Sequence, residues 1–189
     1  MNFQDTPDDR FNTGPSRNLW LAWTDDVDRE VILHLRDRLP DILELRVAGE
    51  KQIDPDYTTY REELGQFDSI RLLERLRGRR PAGSLLLAIT KADLFVEGLN
   101  FVFGSADPQG GCAVISLARL GIGFPGPALT RELLLRRALI EAVHELGHLF
   151  GLGHCRKIRC VMHFSGCLLH TDRKQPDFCP RCRQMLRPE

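Results

Sequence analysis

Residues 144–154, which read HELGHLFGLGH, place three histidines and one glutamate where they could hold and use a metal ion. A helix turns by about 100° per residue, so His144 and His148 leave the same face one turn apart, about 40° from each other. Glu145 lies about 100° round from His144, where its carboxylate could touch a water on the metal without pointing at the ion itself. A general base needs this position, beside the water but not on the metal itself.

The third histidine, His154, cannot lie on the same helix face, because it would point about 240° away from it. The chain must therefore leave the helix first. Gly151 is the predicted turning point, since a left-handed backbone conformation costs glycine little. The reversed chain would bring His154 back as a third nitrogen ligand. Three neutral imidazoles with one open position are typical of a catalytic zinc, whereas a structural zinc is usually closed by four protein ligands.

A core helix that happens to carry histidines is the alternative interpretation. From ordinary residue frequencies, a bare H-E-x-x-H should occur in on the order of one in two hundred chains of this length. The added glycine and third histidine lower that frequency to on the order of one in a hundred thousand, which favours a metal site.

Four cysteines follow the histidines in two close pairs, Cys155 with Cys160 and Cys179 with Cys182. Close thiol pairs in a reducing compartment favour a metal ion over disulfides, so we predict a second, structural zinc. A redox-active Cys-Pro-Arg-Cys pair is the alternative, although no strand and helix of the thioredoxin kind surround it.

The residues around these cysteines carry separate predictions. Four thiolates on one zinc leave about two net negative charges, and neighbouring cations could balance them or could simply be exposed. The cations are Arg156, Lys157, Arg159, Arg181 and Arg183. Of the remaining cysteines, Cys112 lies in an apolar run and should be a small buried side chain. Cys167 is either a spare thiol or an alternative ligand.

The order of these motifs closely resembles that of one protein family. The metzincin clan of zinc peptidases carries H-E-x-x-H-x-x-G-x-x-H followed by a methionine turn. In this chain the histidine string is followed by five residues that resemble the archaemetzincin family in type and spacing, namely Cys155, Cys160, Met162, Cys179 and Cys182. The resemblance extends more loosely upstream, to LFVEGLNFVFG and AVISLARL, and covers about two thirds of the chain.

The resemblance implies a zinc peptidase mechanism. Zinc on the three histidines would lower the pKa of its bound water to about 7, and Glu145 would pass that water's proton to the leaving amine. Met162 would form a hydrophobic floor beneath the histidines without being a ligand. Some metzincins carry a tyrosine just after this methionine. Because His163 stands there in this chain, either His163 or His170 could assist the oxyanion instead.

A helix is predicted to present the first two histidines. Thr130 is a suitable N-cap, and the apolar residues between 135 and 150 fill an arc of about 140° opposite His144 and His148. The helix should therefore bury its back in the core and turn its metal-binding face toward a cleft.

The strands are expected to form a sheet behind that helix. Residues 84–90 are a continuous apolar run, as in a central strand covered on both faces. Further strands are predicted at residues 18–23, 42–48, 99–104 and 112–117, with SADPQGG as the turn between the last two and a helix that ends at Pro40. One of the strands at 99–104 and 112–117 should lie at the edge over the cleft, where a peptide could pair with it.

These elements predict an α+β protein with a compact, metzincin-like zincin fold, in which a twisted, mixed, mostly parallel sheet packs on helices. We expect residues 1–17 to form a flexible tail and residues 18–154 to form an N-terminal subdomain that includes the active-site helix. Residues 155–189 should form a C-terminal subdomain that contains the methionine turn and is stabilised by the cysteine-bound zinc.

Composition narrows the range of partners. The 189 residues contain 26 Lys plus Arg and 26 Asp plus Glu, so no net charge favours nucleic acid or an anionic membrane. Arginines cluster between residues 71 and 80, but without interleaved aromatic residues they favour a solvated helix face. No apolar stretch approaches 18 residues, and the N-terminus lacks a signal-peptide pattern. We therefore expect a cytoplasmic protein, and we also expect a monomer.

The sequence thus favours a zinc-dependent metallopeptidase, acting as an endopeptidase or an aminopeptidase-like enzyme on a peptide or protein substrate, with two zinc ions per chain. A non-catalytic zinc-binding or regulatory protein on the same scaffold is the alternative. Glu145 distinguishes the two, because a binding module has no use for a carboxylate at that position. A nucleic-acid module built on the cysteines is disfavoured by the neutral charge balance.

Overall fold

A five-stranded sheet forms the centre of the computed structural model, which describes residues 17–122 and 129–186. Its strands, in spatial order, are β2 (Arg46–Gln52), β1 (Asn18–Trp23), β5 (Leu85–Thr90), β9 (Cys112–Ser116) and β8 (Gly104–Asp107). The first four run parallel, and β8 pairs antiparallel with β9 at the edge. The predicted mixed, mostly parallel sheet is confirmed. Except for Arg17, the predicted tail lies outside the described residues.

The central strand β5 is buried along its whole length, as its apolar sequence predicts. Its side chains alternate between two hydrophobic clusters, because successive residues of a strand point to opposite faces. Leu85, Leu87 and Ile89 join the larger cluster, and Leu86 and Ala88 join the smaller one. Helices therefore cover both faces of the sheet.

Two long helices cover the face with the larger cluster: α1 (Arg29–Leu43) and α3 (Arg131–Leu149). A shorter helix, α2 (Ser69–Arg77), covers the other face through Leu73 and Leu76. Thr130 caps α3 as predicted, and its side chain accepts a hydrogen bond from the Leu133 N–H. None of the helices in the described ranges has the length and hydropathy needed to cross a membrane.

The prediction that Pro40 ends the first helix was wrong. The helix α1 continues to Leu43 and stops at Glu44, which adopts a left-handed conformation with φ 53°. Leu39 and Leu43 are both buried in the core, so their packing outweighs the hydrogen bond that proline cannot donate. The next strand consequently begins at Arg46 instead of residue 42.

A second, four-stranded sheet was not predicted. It consists of β3 (Tyr60–Arg61), β4 (Gln66–Asp68), β6 (Leu94–Val96) and β7 (Leu99–Val102), in that spatial order. The single strand predicted at residues 99–104 is therefore two strands, divided at the buried Phe103, whose carbonyl accepts a hydrogen bond from the Ser116 N–H. The first residues of SADPQGG continue β8 and do not form a turn.

The C-terminal segment after α3 contains two short helices, α4 (Leu168–Arg173) and α5 (Pro180–Met185). Its apolar residues join the same cluster as α1, α3 and the large sheet. Among them are Val161, Met162 and Phe178. This segment therefore packs directly against the helix that carries the candidate metal ligands.

Candidate functional site

The structure brings together the three histidines that were predicted to bind a metal. One ring nitrogen from each of His144, His148 and His154 lies within 4.8 Å of the others. The chain leaves α3 as predicted, since Gly151 adopts a left-handed conformation with φ 83° and its N–H donates to the His148 carbonyl at 2.9 Å. The turn at Gly151 thus returns His154 to the face it could not reach from the helix.

The hydrogen bonds of the first two histidines leave their Nε2 atoms free to bind a cation. His144 Nδ1 lies 2.8 Å from the Val161 carbonyl oxygen, and His148 Nδ1 lies 2.7 Å from that of Leu152. A carbonyl only accepts, so each Nδ1 carries the proton and each Nε2 presents a lone pair. The two Nε2 atoms are 3.3 Å apart. Tetrahedral zinc, with Zn–N of about 2.0–2.1 Å, would separate two nitrogen ligands by about 3.3 Å.

The third histidine is held differently. His154 is exposed, and its ring packs edge to face against Phe164, with centroids 5.2 Å apart and an interplanar angle of 63°. It also stacks nearly parallel to His144, with centroids 5.4 Å apart. Aromatic packing therefore fixes the orientation of this ring, whereas hydrogen bonds to backbone carbonyls fix the orientation of the other two.

The three imidazoles favour the neutral form that binds metals. Desolvation is the main cause in each case, and it lowers the pKa of His144 strongly and the pKa of His148 and His154 less. The positive charge of Lys174 lowers the pKa of all three further. The donor set is therefore suited to zinc, for which neutral imidazole is a preferred ligand.

Glu145 is buried beside the histidines, on the wall of the cleft. Burial raises the pKa of this carboxyl group well above its ordinary value, the negative charge of Glu141 raises it further, and Lys174 opposes the shift. Gly104 of β8 faces it so closely that a Cβ there would stand 2.6 Å from Glu145 Oε1. The edge strand and the carboxylate therefore meet directly.

Met162 is fully buried and packs against α3 at Gly147, which lies between the first two histidines in the sequence. Its sulfur lies so close to Gly147 that the helix has no room for a side chain there. The Met162 carbonyl accepts a hydrogen bond from the Cys155 N–H at 2.8 Å. This contact ties the residue after His154 to the methionine turn.

The four predicted cysteines also come together. The sulfurs of Cys155, Cys160, Cys179 and Cys182 all lie within 4.8 Å of one another, and every cysteine in the described ranges is free of disulfides. Cys155 and Cys179 have their sulfurs 3.9 Å apart, close to the separation of about 3.8 Å that two thiolates on tetrahedral zinc would have with Zn–S of about 2.3 Å. Four sulfurs at this spacing fit one structural zinc.

Backbone hydrogen bonds lower the pKa of one of these thiols, and burial raises the pKa of another. The Cys182 N–H lowers the pKa of Cys179 to about 7, whereas burial raises the pKa of Cys160. Of the five cations suggested for charge balance, Arg183 pairs with Asp177 and places its guanidinium over the Phe178 ring. The balancing role of the others stays a prediction.

The other residues singled out from the sequence lie outside both clusters. Cys112 is buried in the sheet as predicted, and burial raises the pKa of its thiol to about 11. Cys167 precedes α4 and is not among the clustered sulfurs of the described residues. His163 contacts the Cys155 carbonyl through Nδ1, and His170 accepts from the Gly166 N–H. Neither histidine lines the cleft, as far as the described residues show.

The cleft has a volume of about 690 Å³ and separates α3 from residues 99–106. Phe101 and Phe103 make its far wall largely apolar, with their rings 5.2 Å apart. β8 pairs with β9 along one side only, so its other edge is available along the cleft. An edge strand therefore lies along the cleft as predicted, but only Gly104 of it belongs to a predicted strand, and residues 105–107 were predicted to form a turn.

A buried polar network behind the cleft was missed. Lys174 and Glu141 form an ion pair of 3.1 Å, and Thr171 Oγ1 donates to the same Glu141 oxygen at 3.0 Å. Glu141 lies one helical turn before Glu145, and a carboxylate inside the apolar run ALIEAV was a signal that could have revealed it. Lys174 has no such signal, because only the fold brings it near.

Comparisons with known proteins agree with this geometry. Residues 23–188 match the family model described as peptidase family M54. The archaemetzincin of Methanopyrus kandleri is 45% identical over 143 residues, which cover 76% of this chain and 78% of that protein. Its crystal structure superposes with a TM-score of 0.80 at 37% identity, covering 93% and 96% of the two chains. A zinc-dependent peptidase from Methanocorpusculum labreanum superposes with a TM-score of 0.78 at 29% identity, covering 89% and 100%.

Proposed function

The chain belongs to peptidase family M54, the archaemetzincins, and from this we propose that it is a zinc metallopeptidase whose catalytic ion is held by His144, His148 and His154. One observation carries the assignment. Three imidazole nitrogens converge within 4.8 Å, and the buried carboxyl group of Glu145 lies in the same cleft. A purely structural site would have no use for that carboxyl group.

We propose that Glu145 is the general base. Zinc bound at the histidines supplies Lewis-acid chemistry, which polarises a peptide carbonyl and makes water more acidic. Glu145 accepts the proton of the attacking water and delivers it to the leaving nitrogen. Its burial raises its pKa, and a group that must hold a proton between two transfers benefits from that shift.

The edge of β8 is the proposed binding site for the substrate main chain. An extended peptide can add to an open strand edge through backbone hydrogen bonds. Gly104 lies in that strand and touches Glu145, so a peptide paired there would pass beside the base. Recognition of main chain along residues 99–106 suits an internal peptide bond, and we propose an endopeptidase over an aminopeptidase-like enzyme.

The cysteine cluster is the proposed structural zinc site, which brings the total to two zinc ions per chain. Cys155 directly follows His154, so a closed site there would fix the position of the third catalytic ligand. Free cysteines throughout the described residues support a reducing compartment, and we propose a cytoplasmic monomer that acts on peptides or proteins.

A peptide-library assay with purified, zinc-loaded protein tests the proposed activity. Wild type should cleave at least one peptide, and Glu145→Ala should lower kcat at least about a hundredfold while it keeps its zinc. The matched control is Glu132→Ala, which removes an exposed glutamate from the first turn of the same helix. Equal cleavage by wild type and Glu145→Ala would contradict the mechanism, and a wild type that cleaves no peptide would contradict the activity.

A further inference from the structure

The network behind the cleft is a buried pair of opposite charges. Lys174 is 0% exposed and Glu141 is 2% exposed, with Lys174 Nζ 3.1 Å from Glu141 Oε1. Lys174 Nζ also donates to the His163 carbonyl at 3.3 Å, and Thr171 Oγ1 donates to Glu141 Oε1. Such a pair stabilises a fold no better than well-packed apolar residues of similar volume, because both charges lose their hydration. Its presence therefore points to a role other than stability.

Glu141 connects this pair to the cleft. Glu141 is part of the cleft wall, and the hydrogen bond from Thr171 and the ion pair with Lys174 both fall on Oε1. The second carboxylate oxygen, Oε2, is thus the acceptor that Glu141 can offer to a molecule in the cleft. A carboxylate oxygen can only accept there, so the matching group on a ligand is a hydrogen-bond donor.

Ser165 is a second polar residue of the cleft wall. Its Oγ is buried and finds no hydrogen-bond partner among the residues that the structure describes. Ser165 follows His163 by two positions, and Lys174 joins the His163 carbonyl to Glu141. Ser165 and Glu141 therefore line the same cleft as Phe101 and Phe103.

We propose that Glu141, Lys174 and Ser165 form a side-chain subsite that selects a carboxamide, the side chain of glutamine or asparagine, next to the scissile bond. This inference rests on the proposed peptidase function. The amide NH₂ would donate to Glu141 Oε2, and the amide oxygen would accept from the Ser165 hydroxyl. Lys174 neutralises Glu141, so the subsite holds no net charge to attract a lysine, and an acidic side chain offers no hydrogen-bond donor to Glu141 Oε2.

The subsite should select a carboxamide because any other side chain leaves polar atoms of the subsite without hydrogen bonds. An apolar residue in this subsite would bury the Glu141 oxygen and the Ser165 hydroxyl without partners. Sites that hydrogen-bond one substrate group discriminate strongly against the isostere that lacks it. We expect glutamine to bind at least about tenfold more tightly than methionine, which has a similar length and no amide.

Binding to a zinc-loaded Glu145→Gln protein tests the subsite separately from catalysis. Fluorescent peptides that differ only by Gln, Met or Glu, placed at each position around the preferred bond in turn, are titrated against it. At one position the Gln peptide should bind at least about tenfold more tightly than the other two. Equal binding of Gln and Met at every position would overturn the proposal.

A variant that makes the network apolar provides the second arm. Glu141→Leu, Thr171→Val and Lys174→Met together should leave the protein folded, as checked by urea unfolding, because the volumes are retained. Added to Glu145→Gln, this triple change should abolish the preference for Gln over Met. Ser165→Ala should reduce the preference, and the control Thr58→Ala, which removes an exposed hydroxyl outside the cleft, should keep it. A preference for Gln that survives the triple change would overturn the proposal. Should the triple variant not fold, the Ser165→Ala result decides in the same way.

Cleavage by wild type separates failure of the subsite from failure of the proposed function. If wild type cleaves the Gln and Met peptides at the same kcat/KM, the subsite is wrong and the peptidase assignment stands. If wild type cleaves neither peptide nor any library member, the peptidase assignment fails, whatever the binding preference shows.

Discussion

Gly104 lies against Glu145 so closely that a Cβ on the glycine would stand 2.6 Å from both Cγ and Oε1 of the glutamate. This contact joins the edge strand proposed to bind the substrate to the proposed base. Any side chain at position 104 must displace the carboxylate or move the strand, because contacts this short are not tolerated between real atoms.

Gly104→Ala is therefore predicted to lower kcat by about 10- to 100-fold, since a base displaced by about 1 Å loses its alignment. Metal content should stay at the wild-type value, because the three atoms nearest the new methyl group all belong to Glu145 and none to a candidate ligand. Steady-state kinetics on the best library peptide, with zinc analysis, measure both. Gly78→Ala, at a helix end with φ −69° and space for a methyl group, is the control. A Gly104→Ala enzyme with wild-type kcat would disprove the positioning argument.

Phe164→Ala is predicted to weaken zinc binding at the histidine site by about tenfold, because the exposed His154 ring loses the aromatic contact that orients it. Phe164→Tyr keeps the ring and should restore the affinity. Competition with a chromophoric chelator measures the zinc dissociation constant. Leu169→Ala removes another exposed apolar side chain from the same segment and serves as the control. Unchanged affinity in Phe164→Ala would show that the contact does not position the ligand.

Cys179→Ser is predicted to damage both metal sites. Loss of the cysteine-bound zinc should lower the free energy of unfolding by more than about 2 kcal/mol, as measured by urea denaturation. Because Cys155 adjoins His154, zinc affinity at the histidines should also fall, by at least about tenfold. The control is Cys167→Ser, which changes a cysteine outside the cluster. A stable Cys179→Ser protein with unaltered affinity at the histidine site would refute the coupling.

Glu145 should make the protein less stable as the pH rises when the histidine site holds no zinc. Its folded pKa is raised by burial, so the folded state holds the proton more tightly, and this advantage is lost as the pH rises above the ordinary value of 4.5. Glu145→Gln removes the ionisation. In a His148→Ala background, the added Glu145→Gln should raise the urea midpoint at about pH 8, and the difference should shrink as the pH falls toward 4.5. Identical midpoints at about pH 8 would contradict a costly buried carboxylate.

The parts of the site that could be predicted from sequence are those set by local geometry. The spacing of His144 and His148 follows from the helix period, and the turn at Gly151 follows from glycine's freedom at positive φ. The all-buried strand β5 was evident from its continuous apolar run. These features depend on neighbouring residues alone.

The parts that could not be predicted depend on distant partners. The strand β8 has the composition of a turn and is a strand because it pairs with β9. Pro40 stays inside α1 because packing of the buried leucines around it outweighs one missing hydrogen bond. Lys174 reaches Glu141 only through the fold, so no local pattern could mark it as part of the cleft.

Counting zinc per chain tests the central claim most directly, namely that three histidines hold one ion and four cysteines hold another. Wild type should contain two zinc ions, and His148→Ala should retain one, with the loss confined to the histidine site. Glu145→Ala should keep both ions and lose peptide cleavage. A His148→Ala protein that still binds two zinc ions, or a wild type that binds only one, would contradict the account.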